Sequence, residues 1–329
     1  MGTSFGSPKR LPEVDLRGKT IIVTGANTGI GYETAKCLAQ AGARIILACR
    51  SETKAQEAIE RMKKDHAAEK ADESKARVKI KVDELDLELM TLDLGSLAST
   101  KSFAEAYKAR GFPLHVLICN AGLAWGPEEP TADGFEVHFQ VNYLSHFLLT
   151  LHLLPVLKSS GPDSRIVSVA SVMYKFANWD VTDFQSLKIR DTSKRYNTSK
   201  LYQIMNMFSL AKRLEGSGVS VFSLNPGLVD TDISKREGQQ LTGASKAIVK
   251  MVRASKMMRS PFDGAVTTLH AAANPEYDGK SALYFESAKP HSLTSLPKSE
   301  EKQELLWKYS LDCLKDYVTE DVLSELTSQ

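Results

Sequence analysis

Short apolar β-forming runs alternate along the chain with longer stretches in which apolar residues return every three or four positions. The first run, Ile21 to Val23, passes through a glycine-rich turn into Tyr32–Gly42, where Ala35, Leu38 and Ala39 recur at helical spacing. A second strand is predicted over ARIILACR (residues 43–50), and a helix from Ser51 to about Asp65. ELMTLDLGS reads as the third strand, STKSFAEAYKAR as a helix, and His115–Gly122 as the fourth strand with its exit loop. FEVHFQVNYLSHFLLTLHLLPVL predicts a long amphipathic helix, and Arg165–Ser171 the fifth strand, followed by an irregular segment up to Arg195. YNTSKLYQIMNMFSLAKRL is another long helix, and GVSVFSLNPG the sixth strand with its loop. Strands joined throughout by crossover helices predict an α/β architecture with a parallel, doubly wound sheet. The charged stretch near residues 66–86 exceeds a tight helix-to-strand link and reads as a helix extension with a solvated loop or small hairpin. Residues 1–18 read as a flexible lead, 19–318 as one domain with C-terminal lid segments, and 319–329 as a tail.

Composition narrows the partners. A net charge of +2 gives no reason to expect nucleic acid. The four cysteines, Cys37, Cys49, Cys119 and Cys313, include no CxxC pair and read as small hydrophobes in a reducing compartment. No signal peptide is visible, and Phe147–Leu157, the longest apolar stretch, is too short to span a bilayer. The expected location is cytoplasmic, with peripheral membrane association left open. The seven histidines show no paired metal-ligand spacing, so no metal is expected. His138, His146 and His152 on one helix read as packing or surface residues.

The glycine turn carries the first chemistry. After the strand, Gly25 permits a sharp turn, Gly29 leaves room for a pyrophosphate, and Gly31 lets helix pack on strand, so unsatisfied helix N–H groups face an anion. Gly25, Asn27, Thr28, Gly29, Ile30 and Gly31 are therefore the candidate phosphate contacts. The spacing TGxxxGxG resembles the short-chain dehydrogenase/reductase family, which implies a Rossmann-type single domain with helices on both faces.

Tyr196 and Lys200 stand four apart and share one helix face. A phenol ordinarily titrates near ~10. A neighbouring ammonium favours the phenolate, which suits a group that hands a proton to an alkoxide. Tyr32 and Lys36 show the same spacing but open the phosphate-turn helix, so position selects Tyr196. Ser171 closes the fifth strand, at the carboxyl edge where ligands bind in such sheets; Ser168, three residues earlier, faces the other side. Asn142 lies in an apolar run, where it reads either as a satisfied core amide or kink, or, by the resemblance, as part of a water-mediated proton path from the lysine. The resemblance also implies that Asn120, Ala121 and Gly122 wall the adenosine half. It places Asp93, followed by Leu94, at the adenine edge, and the Asn225-Pro226-Gly227 loop with Thr231 around the nicotinamide carboxamide. Where an NAD site usually carries an acid, about 20 residues past the glycines, this chain has Cys49 and Arg50. A guanidinium without a carboxylate favours a 2′-phosphate, hence NADP(H), with NAD(H) the alternative.

At the C-terminal end, Ser260–Phe285 resembles the retinol-dehydrogenase-like branch, as do Ala48–Arg50 and Leu305–Ser310. That likeness implies a lipophilic aldehyde or ketone, retinoid-, steroid- or xenobiotic-like, and a homodimer through the two long helices. Lys246–Ser260 alternates basic and apolar residues, many of them Met, and reads as an amphipathic helix or a lid over a lipophilic pocket. The competing reading is a non-catalytic dinucleotide-binding regulatory protein of the same fold. A sugar-nucleotide epimerase of the extended branch is disfavoured by the glycine spacing.

Overall fold

The computed structural model describes residues 13–72, 74–124, 126–189, 191–230 and 258–326. Strands β1 (Thr20–Thr24), β2 (Arg44–Cys49), β3 (Leu87–Thr91), β4 (Val116–Cys119), β5 (Ser164–Val169), β6 (Val219–Asn225), β7 (Leu283–Glu286) and β8 (Lys289–Pro290) form one sheet in the order 3-2-1-4-5-6-7-8. Every pairing is parallel except β7 with β8. Strands covered on both faces need apolar side chains on both, which is why β1 and β6 read as near-continuous buried runs.

Helices α1 (Gly29–Gln40), α2 (Glu52–Ala71) and α6 (Pro261–Ala273) bury one face of the sheet in a cluster that includes Val23, Leu38, Ile59, Phe222 and Leu269. On the other face lie α3 (Leu97–Ala109), α4 (Ser145–Ser159), α5 (Thr192–Arg213) and α7 (Glu300–Cys313), around Phe103, Leu148, Ile204 and Trp307. A short α8 (Glu320–Ser324) follows. Strand order reverses between β1 and β4, and that crevice lies at the ends of Thr24 and Cys119.

Several local expectations are corrected. The long helix after residue 135 is not amphipathic: nearly all of Ser145–Leu157 is buried, and a π-helical turn over Phe139–Leu144 precedes it. Helix α5 starts at Thr192, a turn before Tyr196, because Asp191 accepts a hydrogen bond from Ser193 N and caps it there. The charged stretch follows the first of its two readings: α2 extends to Ala71 and the described residues after it form turns held by ion pairs, Lys70 to Asp83 and Lys81 to Glu13. No described helix is long and apolar enough to cross a membrane.

Candidate active site

The glycine turn has the geometry of an anion cradle. Gly25 (φ 67°) and Gly29 (φ 60°) sit in the left-handed region that Gly tolerates at no cost. No side chain caps α1 and its first turn holds no acid, so its N-terminal dipole is uncompensated there. Gly31 is required by a closer contact than helix against strand: a Cβ there would overlap the Gly25 carbonyl and the Asn120 amide nitrogen. The side chain of Asn120 donates to Thr24 O at 2.8 Å, and Ala121 N donates to Thr24 Oγ1 at 2.9 Å, which locks the Asn120–Gly122 wall to β1. Ile30 reaches the α6 backbone at Gly264, which leaves no room for a Cβ between it and Val229.

The end of β2 carries no carboxylate. The Cys49 thiol takes backbone hydrogen bonds from Ala26 and Asn27, and burial pushes its pKa up to about 11. Exposed Arg50 follows it, and from α2 Arg61 donates to Asn27 O at 2.8 Å. Asp93 accepts from Gly95 N at 2.9 Å beyond β3, beside buried Leu94. These residues fit a dinucleotide: a glycine turn, a helix N-terminus and a cation at the end of β2.

Within α5, the Lys200 ammonium lies 5.6 Å from the centre of the Tyr196 ring one turn before it. Lys200 is buried and donates to Val169 O and to Gln203 Oε1, each at 2.9 Å. Burial alone pulls its pKa down to about 7. Gly122 faces this pair, since a Cβ there would stand 3.5 Å from Lys200 Nζ and 3.0 Å from Asn142 Oδ1. Asn142 occupies the π-helical turn, a distortion that often marks functional positions. Its amide is satisfied by the site itself, donating to Leu123 O and Ser199 Oγ and accepting from Leu123 N. Ser171 lies two residues past Val169 and is half-buried; its oxygen accepts from Met173 N, so its O–H remains to be donated. The loop after β6 brings Asn225, Pro226 and Gly227 to the same edge of the sheet. Thr231 and residues 246–257 of the Met-rich segment lie outside the described residues.

The second Tyr-x-x-x-Lys is a structural network. Tyr32 donates to Asp65 at 2.8 Å and Lys36 to Glu69 at 2.9 Å, which ties α1 to α2. Four residues beside the site carried no motif. Thr24 accepts two wall amides. His146, with His138 and His152, is fully buried and not at the surface; its Nε2 meets Thr24 Oγ1 at 2.9 Å and its Nδ1 meets Asn142 O at 3.1 Å. The carbonyl can only accept, so Nδ1 carries the proton and Nε2 accepts from Thr24. Gln203 touches the lysine, and Arg259 donates to Pro226 O at 3.3 Å and to Ser287 Oγ at 3.0 Å, under Gly227. Helical spacing from Lys200 could have pointed to Gln203; nothing in the sequence pointed to Arg259. Among the described residues no group of three His, Cys, Asp or Glu is placed to hold a metal.

The family model described as short chain dehydrogenase matches residues 19–242. Retinol dehydrogenase 14 of Homo sapiens is 38% identical over 297 residues, covering 90% of this chain and 86% of that protein. Polyprenol dehydrogenase of Homo sapiens is 33% identical over 299 residues, covering 89% and 84%. L-Sorbose reductase from Gluconobacter frateurii, solved in complex with NADPH and L-sorbose, superposes with a TM-score of 0.63 at 19% identity, covering 86% of this chain and 100% of that one.

Proposed function

The chain belongs to the short-chain dehydrogenase family, an alcohol/carbonyl oxidoreductase using NAD(P), and on that premise we propose that it reduces a lipophilic aldehyde or ketone with NADPH. The reading is carried by one observation, the Tyr196 ring beside the buried Lys200 ammonium at 5.6 Å. When bound, the nicotinamide supplies the hydride. Tyr196 gives its phenolic proton to the substrate oxygen as charge develops there. Lys200 makes the phenolate tolerable and holds the nicotinamide ribose. Ser171 orients the substrate oxygen through its remaining O–H. Asn142 holds the Leu123 wall and Ser199 in register with the lysine, supporting proton passage to solvent.

The coenzyme choice rests on Arg50 and on the absence of any acid at Cys49. The substrate class rests on names and surface together. Relatives act on retinol and polyprenol by name. Phe176, Val181 and Leu187 are 67%, 51% and 60% exposed on the segment after Ser171, and Leu228 is 52% exposed after the nicotinamide loop. Exposed apolar residues flanking both loops suit an apolar substrate. Coenzyme consumption with NADPH and with NADH, across retinoid, steroid, aliphatic and quinone carbonyls and in both directions, tests this. NADPH turnover of apolar carbonyls that disappears in Tyr196→Phe is expected. Equal turnover by Tyr196→Phe would leave a binding protein instead.

A further inference from the structure

Among the described residues Lys200 has no carboxylate neighbour; its ammonium donates to one main-chain carbonyl, Val169 O, and one side chain, Gln203. Gln203 follows Lys200 by three residues on the same face of α5 and is 3% exposed. The residues that share its helix face, Ser199, Lys200, Asn206 and Met207, are buried and mostly polar, so Gln203 belongs to a buried polar stripe that leads to the lysine. The other half of the amide, Nε2, is buried without a partner among the described residues, a cost that a residue chosen for stability would avoid.

We propose that Gln203 is a positioning residue for Lys200, whose neutral amide fixes where the ammonium points and supports its charge without cancelling it. A carboxylate at this position would also hold the ammonium, but the resulting ion pair would remove the field that favours the Tyr196 phenolate. An apolar residue would leave a buried cation one acceptor short, so the lysine would shed its proton at lower pH. With two N–H groups committed to Val169 O and Gln203 Oε1, the third is left for the coenzyme or the tyrosine. The titratable groups facing the lysine are Tyr196 on the same helix and His146 on α4. The latter is bonded through both ring nitrogens, and burial holds its pKa down to about 4, so it stays neutral where Lys200 titrates, near 7.

The inference rests on Tyr196 and Lys200 being the proton-handling pair, and its test reads the lysine both with and without turnover. Gln203→Met keeps the length and removes the acceptor; Gln203→Glu keeps the acceptor and adds charge. Titration of the Lys200 amine by ¹⁵N NMR is expected to move down by about one unit in Gln203→Met and up in Gln203→Glu. The limb of kcat that reports the tyrosine in alcohol oxidation should move up in both, with KM for substrate little changed. A lysine titration unmoved by either substitution would overturn the proposal, whatever happens to the melting temperature. If no carbonyl or alcohol turns over at all, the functional reading fails, while the lysine titration still decides the role of Gln203. If Gln203→Met does not fold, Gln203→Glu alone decides: an unshifted lysine sinks the proposal and a raised one supports it.

Discussion

Arg50 extends past the last residue of β2 while Cys49 spends its sulfur on the Ala26 and Asn27 amides, so the coenzyme's ribose would meet a cation and no acid. Replacing Arg50 by Glu is expected to lower kcat/KM for NADPH by roughly tenfold or more, since a charge-assisted hydrogen bond is worth ~1.5–3 kcal/mol, and to spare NADH. The ratio of the two kcat/KM values measures it. His146 makes a different prediction, about stability. Burial depresses its pKa to about 4, against ~6.5 for the unfolded chain, so the unfolded state binds more protons between those values. Its contribution is therefore fully present above about 6.5 and is lost as pH falls toward 4, on the order of 3 kcal/mol in all. Urea unfolding from pH 4.5 to 7.5 should show this slope, and His146→Gln should flatten it.

At the scale of elements, Gly31 joins the turn, α1 and the Asn120 wall at one point. Gly31→Ala is expected to destabilise by ~1–3 kcal/mol and to weaken NADPH binding, read by thermal melts and by coenzyme fluorescence. The six parallel strands read from the sequence are all present, because the central strands, buried on both faces, leave a continuous apolar signature and the half-buried edge strand β3 an alternating one. Tyr196, Lys200, Asn142 and Gly122 converge as their order along the chain implies. What the sequence did not disclose has physical reasons. The π-helical turn at Phe139–Leu144 depends on tertiary contacts, with the Asn142 amide held by Leu123 and Ser199, and residue types alone do not encode it. His146 and Arg259 act through partners over a hundred or about thirty residues away, Thr24 and Pro226, so no local spacing reveals them. Strand β7 was visible only as part of a resemblance, since its four residues follow a turn and pair with β6 from a distance.

For the whole molecule, the two faces of the sheet carry different parts of the candidate site: one carries α1 and the glycine turn, the other α5 with Tyr196 and Lys200. On this second face α7 packs across the two long helices. Trp307 meets Phe147 of α4 at 4.8 Å and lies under Arg213 of α5 at 3.9 Å, while Tyr143 bonds Ser310. Helix α7 thus covers apolar surface of both long helices. Deleting residues 300–329 is expected to cost several kcal/mol, given ~1.5–3 kcal/mol for each large apolar side chain uncovered, and to increase self-association. Thermal melts and light scattering of the two lengths check this. The π-helical turn has a consequence of its own. It accommodates one residue more than an ordinary helix would hold over the same rise, so excising Val141 alone offers the chain a smoother spiral. The flanking turns would keep their faces, while the side chains within the turn, Asn142 among them, would shift relative to Leu123 and Ser199. The shortened protein could gain regularity in its backbone and still lose its reaction, a trade that would mark the extra residue as kept for chemistry.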